Sequence, residues 1–309
     1  MLAATSAGAA PYPERPLRMI VPQAAGSTTD IVTRFFAQEL GAKLGQQVVV
    51  DARPGAGGSI GAGIAAKSSP DGYTLLMANL STHGINPWLY PNLPYDALGD
   101  FAPVSMVATG PYVMLANPKL PAASVKELVA LARAKPRELN YASGGNGTGT
   151  HLAGELLKLR MRVDIVHVPY KGSAPGMNDV IGGQVALMFI GLPPAMPHMQ
   201  AGRLRALAVT GAKRSEAAPD LPTMMEAGVP DYSADTWFSV LLPAGASPHI
   251  VTRLNAELTA ITRSPEIRQK LVRMGMDAIH STPEGCRDYM RAELKKWGQV
   301  VKASGATIQ

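Results

Sequence analysis

Two stretches of this 309-residue chain combine backbone N–H groups, hydroxyls and a helix start in the way a small-anion site requires. Gly26-Ser27-Thr28-Thr29-Asp30 follows a short apolar run and opens a long helical pattern. Ser143-Gly144-Gly145-Asn146-Gly147-Thr148-Gly149-Thr150 repeats the arrangement in mid-chain, with His151 next. Glycine lets the backbone adopt positive φ or approach a ligand closely, and the first N–H groups of a helix lack intrahelical partners. Together with the positive end of the helix dipole they favour a carboxylate. One such loop also describes an ordinary N-cap, worth about 0.5–2 kcal/mol of stability. Two loops can clamp the two sides of one small acid. Thr28, Thr29, Ser143 and Thr148 are the expected hydroxyl donors. An ionised Asp30 would repel an anion, so it is expected to brace its loop.

Other motifs point to chemistry less well. Gly57-Gly58-Ser59-Ile60-Gly61 fits the G-x-S-x-G nucleophile elbow, and a serine hydrolase centred on Ser59 is the rival reading. That elbow turns straight off a strand, whereas Arg53-Pro54-Gly55-Ala56 intervenes after the strand expected to end near Asp51. A glycine-rich loop with Ser59 as helix cap is the plainer account. Gly61 to Ser68 lacks the second P-loop glycine, because Ala66 stands there. The six histidines (His83, His151, His167, His198, His249, His280) show no H-x-H or H-E-x-x-H spacing, and Cys286 is the single cysteine. Neither a metal, a cofactor nor an internal disulfide is expected. His151 reads equally as a ligand contact and as a satisfied helix-start histidine.

The elements that must position these loops follow from composition and patterning. The length suggests two domains, and 46% hydrophobic with 17% charged residues is enough apolar material for substantial cores. The net charge of +6 is scattered, so nucleic acid is not an expected partner. Short apolar runs alternate with helical patterns, the mark of an α/β chain with largely parallel sheets. Strands are expected at 17–22, 47–51, 73–78, 112–116, 139–142, 165–168, 185–190, 204–210 and 236–242. Helices are expected at 29–44, 59–67, 124–134, 150–160, 174–182, 248–262, 265–274 and 283–302. Turn-rich edges at Ala108–Pro111 and Val229–Asp235 bracket a middle segment with its own alternation. The expected layout is one lobe from 12–109 and 235–309, a second from 110–234, and a ligand cleft with a hinge between them. Pro193, Pro194 and Pro197 interrupt the uncharged stretch from Val180 to Gly202, so no spanning helix is expected. Residues 1–11 read as the trimmed tail of a cleaved export signal, with Ala7-Gly8-Ala9 fitting small-x-small.

These residues resemble a known family. Arg53-Pro54-Gly55-Ala56-Gly57-Gly58-Ser59-Ile60-Gly61, Pro70-Asp71-Gly72-Tyr73, Asp100-Phe101-Ala102-Pro103-Val104 and Tyr141-Ala142-Ser143-Gly144-Gly145-Asn146-Gly147 are similar to segments of the substrate-binding receptors of tripartite tricarboxylate transporters, the Bug receptors. Val168-Pro169-Tyr170-Lys171-Gly172, Gly182-Gly183-Gln184-Val185 and Gly202-Arg203-Leu204-Arg205 continue the likeness, which runs from about Tyr12 to the C-terminus. The resemblance implies a periplasmic, non-enzymatic receptor of the type II periplasmic-binding-protein fold. It also implies a small mono- or dicarboxylate ligand and integral membrane permease subunits as partners; a membrane sensor is the alternative partner. A monomer is expected. The expected ligand-binding set is Gln23, Gly26, Ser27, Thr28, Thr29, Ser81, Thr82, Ser143, Gly144, Asn146, Gly147, Thr148, His151, Tyr170 and Ile190. The chain departs from the family pattern with Gln23, Ala25 and Ser27 in the first loop and Ile190 where an acidic residue is common. Ile190 would suit a second carboxylate or an apolar ligand body.

Overall fold

The computed structural model describes residues 12–307, so the expected export remnant at 1–11 lies outside the described residues. The chain opens with β1 (Leu17–Val21), α1 (Thr28–Leu44), β2 (Val48–Ala52), α2 (Ser59–Ala66), β3 (Thr74–Asn79) and α3 (Asn86–Leu89). A long β4 (Phe101–Ala116) leads into α4 (Val125–Ala134), β5 (Asn140–Ser143), α5 (Gly149–Met161), β6 (Val166–Pro169) and α6 (Ser173–Gly182). Then come β7 (Leu187–Gly191), α7 (Leu192–Gln200), β8 (Arg205–Val209) and β9 (Asp235–Pro243). The rest is α8 (Pro248–Arg263), α9 (Pro265–Arg273), β10 (Asp277–Ala278) and α10 (Pro283–Ser304).

Local chemistry accounts for most boundaries. Ser27 caps α1 by accepting from the Asp30 N–H, and the helix stops at Gly45 in the left-handed region at φ +66. Pro248 sits in the first turn of α8, whose Leu254, Leu258 and Ile261 are buried on one face. The described strands form a sheet in the order β2-β1-β3-β9-β4-β7-β5-β6, with β8 and β10 also paired to β4. The expectation of a largely parallel sheet is corrected. β1 runs parallel to β2 and β3, and β5 parallel to β6 and β7, but every pairing of β4 and β9 is antiparallel. Those two strands are long returns, not steps in a βαβ crossover, so nothing imposes a parallel partner on them.

Residues 108–111 are not a turn. They lie inside β4, where Ala108 pairs with Phe238 and Pro111 with Asp235, and register shifts before Ser105 and Ala108 mark bulges. The first part of β4 pairs with β9, and residues from Tyr112 on pair with β7. One apolar cluster, including Met19, Phe36, Leu75, Phe238 and Leu258, packs beside the first part. Another, including Val113, Met188, Ile190 and Leu192, packs beside the second. A third runs between them and takes in Trp237, Tyr232 and Trp297. The short α3, α7, β10 and a π-helical turn at Ser81–Ile85 escape the sequence patterning. α7 is disguised by Pro193 and Pro194, which its first turn tolerates because those N–H groups would have no partner anyway.

Candidate ligand-binding site

A cavity of about 520 Å³ lies beyond the carboxyl ends of β1, β3, β5 and β6, where open α/β sheets bind ligands. Helices α1, α5 and α6 all start at its wall: Thr28, Gly149 and Ser173, their first residues, line it. Because Ser27 and Thr148 cap only the N–H groups of Asp30 and His151, the N–H groups of Thr28 and Thr29 have no intrahelical acceptor. The Gly149 N–H donates across the cavity to Ser81 Oγ at 3.1 Å. Among the described residues the lining holds no Asp or Glu, and Lys171 is its one charged side chain. Three helix dipoles and no carboxylate make this wall favourable to an anion.

Of the expected set, Gln23, Ser27, Thr28, Thr29, Ser81, Gly144, Asn146, Thr148 and Tyr170 line the cavity. Their hydroxyls are not equivalent. Thr148 Oγ1 donates to the Gly145 carbonyl at 2.7 Å while accepting from the His151 N–H, so it holds its own loop. Thr29 Oγ1 accepts from Asn79 Nδ2 at 2.9 Å, and that amide also donates to Gln23 Oε1 at 2.6 Å. The Thr28 hydroxyl makes no hydrogen bond among the described residues.

The other six do not line the cavity. Gly26, at φ +75, turns its N–H to Asp30 Oδ2 at 3.0 Å. Asp30 also pairs with Arg34, which fixes the first loop. Thr82 Oγ1 closes the turn after β3 through Asn79 and bonds His83 Nδ1 at 2.8 Å. Ser143 is fully buried, with Oγ 2.7 Å from His167 Nε2 and accepting from the Gly145 N–H. Gly147 donates its N–H to His151 Nδ1 at 3.3 Å. His151 is thereby an internal strut, and burial pushes it down to about 4, so its imidazole is neutral and able to accept. Burial and the neighbouring His151 push His167 down to about 3. Ile190 faces the apolar cluster of Val113 and Met188, so its departure from the family pattern does not shape the cavity.

The nucleophile elbow is absent. A 3-10 turn at Ala56–Gly58 precedes α2, and buried Ser59 Oγ accepts from Asn86 Nδ2 at 2.9 Å. No histidine hydrogen-bonds Ser59 among the described residues.

Sequence reasoning missed several wall residues. Asn79 enters from the end of β3, Tyr90 from the end of α3, and Tyr112, Thr236 and Phe238 from within β4 and β9, where no loop motif marks them. Lys171-Gly172-Ser173 was findable, because it is a third strand–glycine–helix junction. The two walls also touch: Tyr90 Oη donates to the Asn146 carbonyl at 3.1 Å, and a Cβ at Gly191 would lie 2.4 Å from Thr28 Oγ1.

An α/β molecule whose long central strands join two halves, with an anion-favouring cavity between them, is a two-lobed solute receptor of the periplasmic binding-protein class. The chain matches the tripartite tricarboxylate transporter family receptor over residues 32–306, and it belongs to that family. It is 40% identical to protein BugT of Bordetella pertussis over 96% of this chain and 92% of that one. It superposes on R. palustris Rpa4515, solved with adipate, with a TM-score of 0.94, 38% identity and coverage of 96% and 100%. MatC from Rhodopseudomonas palustris, solved with bound malate, gives a TM-score of 0.88 at 30% identity, covering 94% of this chain and 100% of that one. The family and these neighbours are binding proteins, not enzymes.

Proposed function

We propose that this receptor captures a small carboxylate between its lobes in the periplasm and delivers it to the permease subunits of a tripartite transporter. The observation that carries the reading is the convergence of three helix N-termini on a cavity wall that, among the described residues, holds no Asp or Glu. In a closed cavity, amide and hydroxyl donors form charge-assisted hydrogen bonds that replace the hydration of the carboxylate. Adipate and malate in the two neighbours support a carboxylate ligand here. Among the described residues no helix is long and apolar enough to cross a membrane. We assign residues 12–109 and 235–309 to one lobe and 110–234 to the other. The pairing of Gly110 with Thr236 and of Pro111 with Asp235 supports a double crossing at that boundary.

Thermal-shift screening against organic acids tests the proposal. A rise in melting temperature with one or more carboxylates, absent with the matching amides, is the expected result. No response to any acid in a broad panel would count against it. Delivery is tested by uptake of the identified acid in cells lacking this protein.

A further inference from the structure

We propose that Lys171 and Ser173, at the start of α6, seat a second carboxylate and make the receptor select diacids over monoacids of equal length. The inference rests on the carboxylate reading above. Among the described residues Lys171 is the one charged side chain on the cavity wall, and it is exposed. It makes no ion pair or hydrogen bond among the described residues. Other basic side chains are different: Lys158 pairs with Glu155, and Arg34 with Asp30. Ser173 is only 8% exposed, lines the cavity, and its hydroxyl has no hydrogen-bond partner among the described residues.

The backbone at this corner is open as well. Helix α6 begins after Gly172, at φ +117, with no side-chain cap. α1 and α5, in contrast, cap themselves through Ser27 and Thr148. Gly172 cannot readily be another residue, because its φ disfavours a side chain and a Cβ would come 2.8 Å from Ala24 on the opposite wall. A lysine, a buried hydroxyl and the start of an uncapped ten-residue helix thus follow one another within three residues of the wall. A second carboxylate at this corner would gain charge-assisted hydrogen bonds from the lysine and the hydroxyl in place of part of its hydration. An apolar tail gains none, and it leaves exposed Lys171 hydrated.

Isothermal titration on the full chain with two matched pairs, succinate against butyrate and adipate against hexanoate, provides the test. In the wild type the diacid of at least one pair should bind about tenfold or more tighter than its monoacid, the scale of one charge-assisted contact. Lys171→Gln should remove about tenfold of that preference while monoacid affinity stays within about twofold. Lys171→Arg should retain the preference, and Ser173→Ala should lower it in the same direction. Equal loss for diacid and monoacid in Lys171→Gln would mean general electrostatic attraction and would overturn the proposal. Monoacids bound as tightly as diacids by the wild type would overturn it too, leaving the carboxylate reading intact. Failure of all four acids, with other carboxylates also silent, would overturn that reading and this inference together.

Discussion

His151 and His167 stack ring on ring, with centroids 4.1 Å apart and planes inclined by 13°, and each holds one part of the Ser143–Thr148 loop. His151 Nδ1 accepts from the Gly147 N–H, and His167 Nε2 meets the Ser143 hydroxyl. His151 Nδ1 can accept only while unprotonated, and two stacked cations would repel, so burial and contact together favour neutral rings.

Stability should therefore depend on acid. Burial sets the folded values at about 4 for His151 and about 3 for His167, below the 6.5 of an ordinary histidine. Below pH 6.5 the unfolded chain binds protons that the folded one refuses. The contribution is complete above that pH and is lost as pH falls towards the folded values, at up to about 1.4 kcal/mol per pH unit for each group. Melting temperature should drop between pH 6.5 and 4.5, and His167→Gln should flatten the drop. A flat wild-type profile over that interval would contradict the assignment.

Tyr90→Phe deletes the hydroxyl that donates to the Asn146 carbonyl across the cavity and keeps the ring. The closed form should lose about 0.5–1.5 kcal/mol, the net worth of one hydrogen bond. The measurement is X-ray scattering with and without ligand. The variant should need more ligand than the wild type to reach the smaller radius of gyration, and an unchanged titration midpoint would refute the latch.

Thr28 and Thr148 look alike in sequence but should behave differently. Thr148→Ala removes a cap and should lower stability by about 0.5–2 kcal/mol with a smaller effect on affinity. Thr28→Val keeps the shape, removes the unbonded hydroxyl, and should weaken binding by about 1–3 kcal/mol if a buried carboxylate is left one donor short. Denaturation and titration on both variants separate the two roles, and reversed outcomes would exchange them.

Gly191 sits at φ −65, so alanine is allowed by its backbone, yet the added Cβ would lie 2.4 Å from Thr28 Oγ1. Overpacking of this kind costs about 1–3 kcal/mol. Here it should act as a wedge between α1 and the end of β7. Gly191→Ala should leave the ligand-free melting temperature nearly unchanged and weaken binding about tenfold or more. Equal affinity would show that the two walls do not meet in the bound form.

In the first loop the bracing role expected of Asp30 agrees with its contacts, whereas Gly26 and Ser27 were expected to meet the ligand and instead turn their polar groups to the loop itself. Ser27 and Asp30 act within four residues of each other, and cap and brace are both satisfied by local backbone geometry. The strand at 17–21 and the helix at 248–263 were equally plain, because alternation and Pro248 are short-range signals. β4 was half hidden, since Gly110-Pro111 reads as a turn and becomes strand only when β9 lies beside it.

By itself the sequence determined an α/β chain with glycine–hydroxyl loops at helix starts, and hence the class of ligand those loops favour. Tertiary structure alone decided which hydroxyls face the cavity. Ser143 and Thr28 have the same local credentials, but the stacked histidines claim Ser143 while packing against Gly191 keeps Thr28 on the wall. Tyr112 and Thr236 join the wall because β4 and β9 cross side by side, and Lys171 joins it from the junction of β6 and α6. Caps and turns are written in neighbouring residues, whereas the direction a side chain faces is set by partners as far away as the 124 residues that separate Tyr112 from Thr236 in sequence.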